Sequence, residues 1–276
     1  MTDTLPDTPL PSSGVARAEG VPEPIAPWMH TLAVVALLAG FSVVAHFGHQ
    51  ETIALDRPIR YGSQILMIWM LLGCVVAGVY HRRLFFWNTL LHNRRSWFLE
   101  VVRGMTIYAA CLTTLSFVVM AVMFLLVLRH ADPAHAADVH EQVVSRLHLK
   151  NKTVQSVAPT TGFELLLWTG VSLTAGFCEE HIFRGYLLRQ VLSLFCAAGA
   201  SQRFAAALSI AVTSILFGSL HLYEGVGGAI FVGMLGLMYA ILALRFGNLR
   251  AVIVAHSAQD FLVGLFLFLR HAHLAR

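Results

Sequence analysis

Seven apolar runs, each close to the length of a membrane crossing, divide this chain and leave little choice of fold. They extend from Trp28 to about Gly48, Gly62 to Tyr80, Gly104 to Leu128, Phe163 to about Leu188, Phe204 to Leu222, Val226 to Leu244 and Ala251 to Leu269. A helix of about 20 residues spans ~30 Å of hydrocarbon. The expected fold is therefore all-α, a polytopic transmembrane bundle of about seven or eight helices. Composition agrees. Of 276 residues 57% are hydrophobic and 12% charged, against about 25% charged in a soluble domain. Mean hydropathy is +0.69.

The connecting stretches are less uniform. Residues 1–27 are rich in Pro, Ser, Thr and acids, with no basic region ahead of Trp28. They read as a disordered tail rather than a signal peptide, leaving 28–276 as the integral-membrane domain. His81 to Arg103 mixes Arg82, Arg83, Arg94, Arg95 and Arg103 with Leu, Phe and Trp, the pattern of an amphipathic element on a membrane surface. Those arginines place this loop on the cytoplasmic side. With seven spans, the N-terminus is then cytoplasmic and the C-terminus external. Leu192 to Ala200 extends the fourth helix, lies at the interface or belongs to an eighth crossing. Lys150 and Lys152 are the only lysines; that bias accompanies GC-rich bacterial genomes and points to a bacterial inner membrane. No basic stripe is interleaved with aromatics, so nucleic acid is not an expected partner. Cys74, Cys111, Cys178 and Cys196 all fall in apolar stretches without CxxC spacing and read as small buried hydrophobes.

Chemistry concentrates in three places. In the fourth run, Glu179, Glu180 and Arg184 stand at membrane depth. Ionisable groups there are expensive and by default mark a functional site. Residues four apart share a helix face, so Glu180 pairs with Arg184 while Glu179 points elsewhere. An unpaired carboxylate in apolar surroundings suits a general base. The bland alternative is a structural ion pair with a spare glutamate. The second place is Phe217-Gly218-Ser219-Leu220-His221, where Phe217 and His221 share a face. The third is His256 and Asp260, one turn apart in the seventh run; its bland reading is a polar contact between helices. Ser219 and Ser257 lie near these histidines, but neither stands in a Gly-x-Ser-x-Gly context.

Glu-Glu-x-x-x-Arg, then Phe-x-x-x-His, then His-x-x-x-Asn/Asp is an ordered set that resembles the CPBP family. That family includes type II CAAX prenyl endopeptidases and bacteriocin-processing or immunity relatives. The resemblance runs from about Phe163 to Asp260 and includes the continuation Phe-Arg-Gly-Tyr-Leu-Leu at 183–188. It implies a glutamate-dependent intramembrane endopeptidase needing no cofactor and no metal. Its substrate would be a membrane protein or lipidated peptide met in the lipid bilayer. It further implies that Glu179 and His221 activate water, that His256 and Asp260 support the oxyanion, and that Glu180 and Arg184 are supporting residues. Two departures stand out: His181 replaces a usually apolar residue, and Asp260 stands where many members have Asn. A carboxyl donates to an oxyanion only when protonated; otherwise Asp260 orients a cationic His256.

Two other readings remain open. Glu179, His221, His256 and Asp260 are residue types that ligate zinc, though no His-Glu-x-x-His is present. A proton-coupled transporter, or an immunity or scaffold protein, would use the same residue types.

Overall fold

In a computed structural model, residues 22–48, 57–82, 96–129 and 156–274 are described. Every element among them is helical. All seven apolar runs form helices: α1 (Trp28–Gly48), α2 (Arg57–His81), α3 (Trp97–Arg129), α4 (Gly162–Glu180), α6 (Gln202–Ser219), α7 (Val226–Phe246) and α8 (Arg250–Leu274). Between α4 and α6 come a π-helical turn, His181–Leu187, and α5 (Leu188–Ala197). Five helices are long and apolar enough to cross a membrane by themselves: α2, α3 over Trp97–Val122, α6, α7 and α8. The protein is thus a multi-pass membrane protein. Its outward surface is apolar, with Leu66, Met70, Phe117, Phe124, Ile215 and Phe266 all exposed, as a lipid-facing wall should be.

Local chemistry sets where α4 begins. Thr161 caps it, accepting from the Glu164 backbone N–H, while the Glu164 carboxylate accepts from the backbone of Thr160 and Thr161. This capping box satisfies orphan donors at both ends of the turn. Arg57, at the start of α2, donates to Thr160 Oγ1 and Ser156 O and lies 3.6 Å from Glu164, which ties α2 to α4. α4 packs between α2 and α8. It approaches α8 so closely at Gly176 that a Cβ there would collide with Ser257 Oγ.

Leu192 to Ala200 is an extension of the fourth helix, ending at Gly199 with φ 89°. α4, the π-turn and α5 form one helical run past the glutamates. From Glu179 to Ala197 the chain climbs 18 residues and from Gln202 to His221 it descends 19, ~27 and ~29 Å of helix. The charge of Glu224, three residues past His221, acts on both His221 and Glu179, so this turn lies close to the glutamates.

The surface element expected over His81–Arg103 needs correction at its end. Residues 83–95 lie outside those described. Trp97–Arg103 form the first turns of α3, and the Arg103 guanidinium stacks 3.5 Å from the Phe246 ring centroid, so cation–π contact holds this charge against α7. The tail expected at 1–27 is described only from residue 22. Of the cysteines, Cys74 is exposed and the other three are buried.

At its start, α1 is fastened to the π-turn and α5. Gln190, fully buried, accepts from Ile25 N (2.7 Å) and donates to Ala26 O (3.0 Å) and Thr31 Oγ1 (2.6 Å). The Tyr186 hydroxyl meets His30 Nδ1 at 2.8 Å and Thr31 Oγ1 at 2.9 Å.

Candidate functional site

Glu180 is the hub. Its Oε1 accepts from Arg184 Nη1 at 3.0 Å and from His256 Nδ1 at 2.8 Å. The i,i+4 pairing read from the sequence is present, and a second partner arrives from 76 residues away, on α8. The Glu180 side chain is 0% exposed and that of Arg184 2%. Such a charged trio is locked by geometry, because opening it strands a charge in a low dielectric. Phe217 supports it from α6: its ring lies 4.4 Å from the Arg184 guanidinium and 6.1 Å from the His256 ring.

The other ring nitrogen, His256 Nε2, faces two more carboxylates, Asp260 Oδ2 at 3.5 Å and Glu179 Oε2 at 3.9 Å. All three acids around this imidazole are acceptors when ionised. Only the doubly protonated ring has an N–H for both sides, so this geometry suits an imidazolium. Trp168 Nε1 donates to the Asp260 carbonyl at 2.9 Å, which anchors this part of α8 to α4. On the far side of His256 the Tyr239 ring lies 6.0 Å away, and its hydroxyl donates to Gln259 Oε1.

Glu179 and Glu180 are neighbours in sequence but not in environment. The Glu179 side chain is 18% exposed against 0% for Glu180, so Glu179 is the one a reactant can reach. A small crevice between α2 and α4 has Glu179 in its lining. Ile65, Met67 and Ile68 line one wall, Val171 and Ala175 the other.

His221 lies just past the end of α6. Its Nδ1–H donates to Phe217 O at 2.9 Å, which assigns the tautomer and leaves Nε2 as the acceptor nitrogen. The ring rests 4.9 Å from Phe217 and 5.7 Å from Tyr223. Ser42 of α1 donates to the Leu220 carbonyl and steadies this turn. The Ser219 hydroxyl is committed to Leu216 O at 2.7 Å. His181 is buried with its Nδ1 on Phe177 O.

One acid escaped the sequence reading. Glu224 ends the 3-10 turn Leu222–Glu224, and its charge acts on both His221 and Glu179. Three residues beyond His221, it is the sort of loop acid that sequence alone assigns to solvent. The Phe-x-x-x-His motif was the available signal, because whatever follows that histidine must stay near the site.

Among the described residues, no three His, Cys, Asp or Glu side chains are grouped to hold a metal ion. Residues 161–262 match the family model for Rce1-like proteins, described as type II CAAX prenyl endopeptidase Rce1-like. This segment is similar to that family, the group that the ordered motifs resemble. No curated protein and no solved structure matches the chain.

Proposed function

We propose that this protein is an intramembrane endopeptidase of the glutamic type, in which Glu179 is the general base. The observation that carries this reading is the division of labour within the glutamate pair. Glu180 is sealed between Arg184 and His256, while Glu179 is partly exposed, lines a crevice and has His256 Nε2 3.9 Å away. A water held by Glu179 and His221 Nε2 loses a proton to Glu179 as its oxygen attacks the scissile carbonyl. The tetrahedral oxyanion that forms needs positive charge already in place. His256, cationic between Glu180 and Asp260, supplies it. Glu180 and Arg184 keep that imidazole at its post without touching substrate. No covalent acyl intermediate is required. The Rce1-like match supports one substrate class: a peptide ending in an S-prenylated cysteine followed by three residues, met in the lipid bilayer.

The test uses purified protein in liposomes and a quenched-fluorescent peptide ending in S-farnesyl-cysteine, two aliphatic residues and one more. Cleavage after the modified cysteine is expected. Glu179→Gln should lose roughly 10³-fold in kcat, within the range for a general base, while eluting as a folded monodisperse protein. A chelator should leave the wild-type rate unchanged. Wild-type rates from Glu179→Gln, or chelator-sensitive cleavage, would refute the assignment.

A further inference from the structure

Hydrolysis of an amide needs an acid as well as a base, because the departing nitrogen must gain a proton. Glu179 cannot supply one until it has taken it from water. Glu224 is a further carboxylate of the cluster, and its charge acts on Glu179, His221 and Asp260. We propose that Glu224 is the general acid of this site, delivering a proton to the scissile nitrogen of the prenylated peptide while Glu179 takes one from the attacking water. This rests on the base assignment made above.

Several independent features place Glu224 for that task. Its charge acts on Glu179 of α4 and His221 at the end of α6, and it also acts on Asp260 of α8. The Tyr223 hydroxyl is hydrogen-bonded to its carboxylate. α7 begins at once after it, with Gly225 as N-cap and no side-chain cap. A Cβ on Gly228 would lie 2.7 Å from Glu224 Cβ and 3.2 Å from Oε2, so the carboxylate rests on the bare first turn of α7. The positive end of that helix stabilises the anion left after the proton has gone. Burial, reinforced by the charge of Glu179, raises the Glu224 carboxyl above the usual carboxylate range, against the opposing effects of His221 and Tyr223. Glu224 is only partly buried, so solvent can reload it.

The step balances. One O–H bond of water breaks toward Glu179 as the carbon–oxygen bond forms. The carbon–nitrogen bond then breaks and its nitrogen takes the Glu224 proton. A carboxylic acid and an amine leave. Glu179 is protonated and Glu224 ionised, and one proton exchanged through water restores both.

A pair of substrates tests this directly: the farnesylated peptide above and its analogue with a thioester at the scissile bond. A thiolate departs without a proton. Glu224→Gln should lose roughly 10²-fold in kcat on the amide, the scale of general-acid catalysis, with KM changed less than about twofold. On the thioester it should stay within about threefold of wild type. Its amide pH profile should lose the alkaline limb, which falls in wild type as Glu224 ionises, and Glu224→Asp should restore part of the rate. Equal losses on both substrates, or no loss on the amide, would overturn the role of Glu224 alone. Glu179→Gln run alongside should fail on both substrates; full activity there would overturn the base assignment and this proposal with it.

Discussion

Glu180→Ala is the perturbation whose consequence the structure fixes most tightly. Oε1 of Glu180 carries two charge-assisted hydrogen bonds, to Arg184 at 3.0 Å and His256 at 2.8 Å. Removing it leaves a guanidinium whose side chain is 2% exposed without its anion, and Nη2 of that arginine already has no hydrogen-bond partner. Breaking a buried pair from one side costs about 3–5 kcal/mol. For a chain of this size, 1 kcal/mol shifts Tm by roughly 2–4 °C, so a fall of about 10 °C is expected. Glu180→Gln keeps an acceptor oxygen but no charge and should lose about half as much. The double variant Glu180→Leu, Arg184→Met removes both charges and should be far less destabilised than the two single changes added together. The assay is thermal unfolding in detergent, followed by loss of monodisperse protein on size exclusion, for wild type, Glu180→Ala, Glu180→Gln, Glu180→Leu, Arg184→Met and the double variant. A Tm within about 2 °C of wild type for Glu180→Ala, or additivity in the double variant, would refute the reasoning.

Two further outcomes follow from particular contacts. Asp260→Asn removes one of two carboxylates facing His256 Nε2, and the difference between charged and neutral hydrogen bonds, about 1 kcal/mol, predicts a loss of about fivefold in kcat at neutral pH. An unchanged or faster rate with a flattened alkaline limb would instead make a protonated Asp260 the oxyanion donor. Gln190→Leu strands the buried N–H of Ile25 and the carbonyl of Ala26, and at about 1–3 kcal/mol per unsatisfied group it should lower Tm and speed proteolysis ahead of Trp28; unchanged proteolysis would mean that the contact does not hold the segment.

Much of the helical layout was legible because a bilayer demands long apolar runs, and all seven runs are helices. The Glu180–Arg184 pair was equally legible, since i,i+4 spacing is a local rule. His256 on Glu180 was not: that bond joins residues on different helices, and no spacing within either helix encodes it. Sequence reasoning therefore offered only Asp260 as a partner for His256, as one of two roles for that acid, where the shorter contact belongs to Glu180. The π-turn left no mark either. His-Ile-Phe-Arg-Gly-Tyr-Leu is as apolar as its surroundings, and one extra residue per turn is invisible when every side chain from His181 to Leu187 is buried. Glu224 was missed because a single acid in a short turn carries no periodicity.

The π-turn also acts as a phase shifter. Upstream of it, the azimuth of the helix is set by Glu179 and Glu180 meeting α8. Downstream it is set by Gln190 gripping the entrance to α1. An uninterrupted α-helix would link the two settings rigidly at 100° per residue, and satisfying one would dictate the other. Seven residues of wider winding decouple them. Deleting one residue there would improve the local backbone hydrogen bonding yet rotate everything beyond it by about a quarter turn. The molecule would have to choose between its polar centre and its N-terminal fastening.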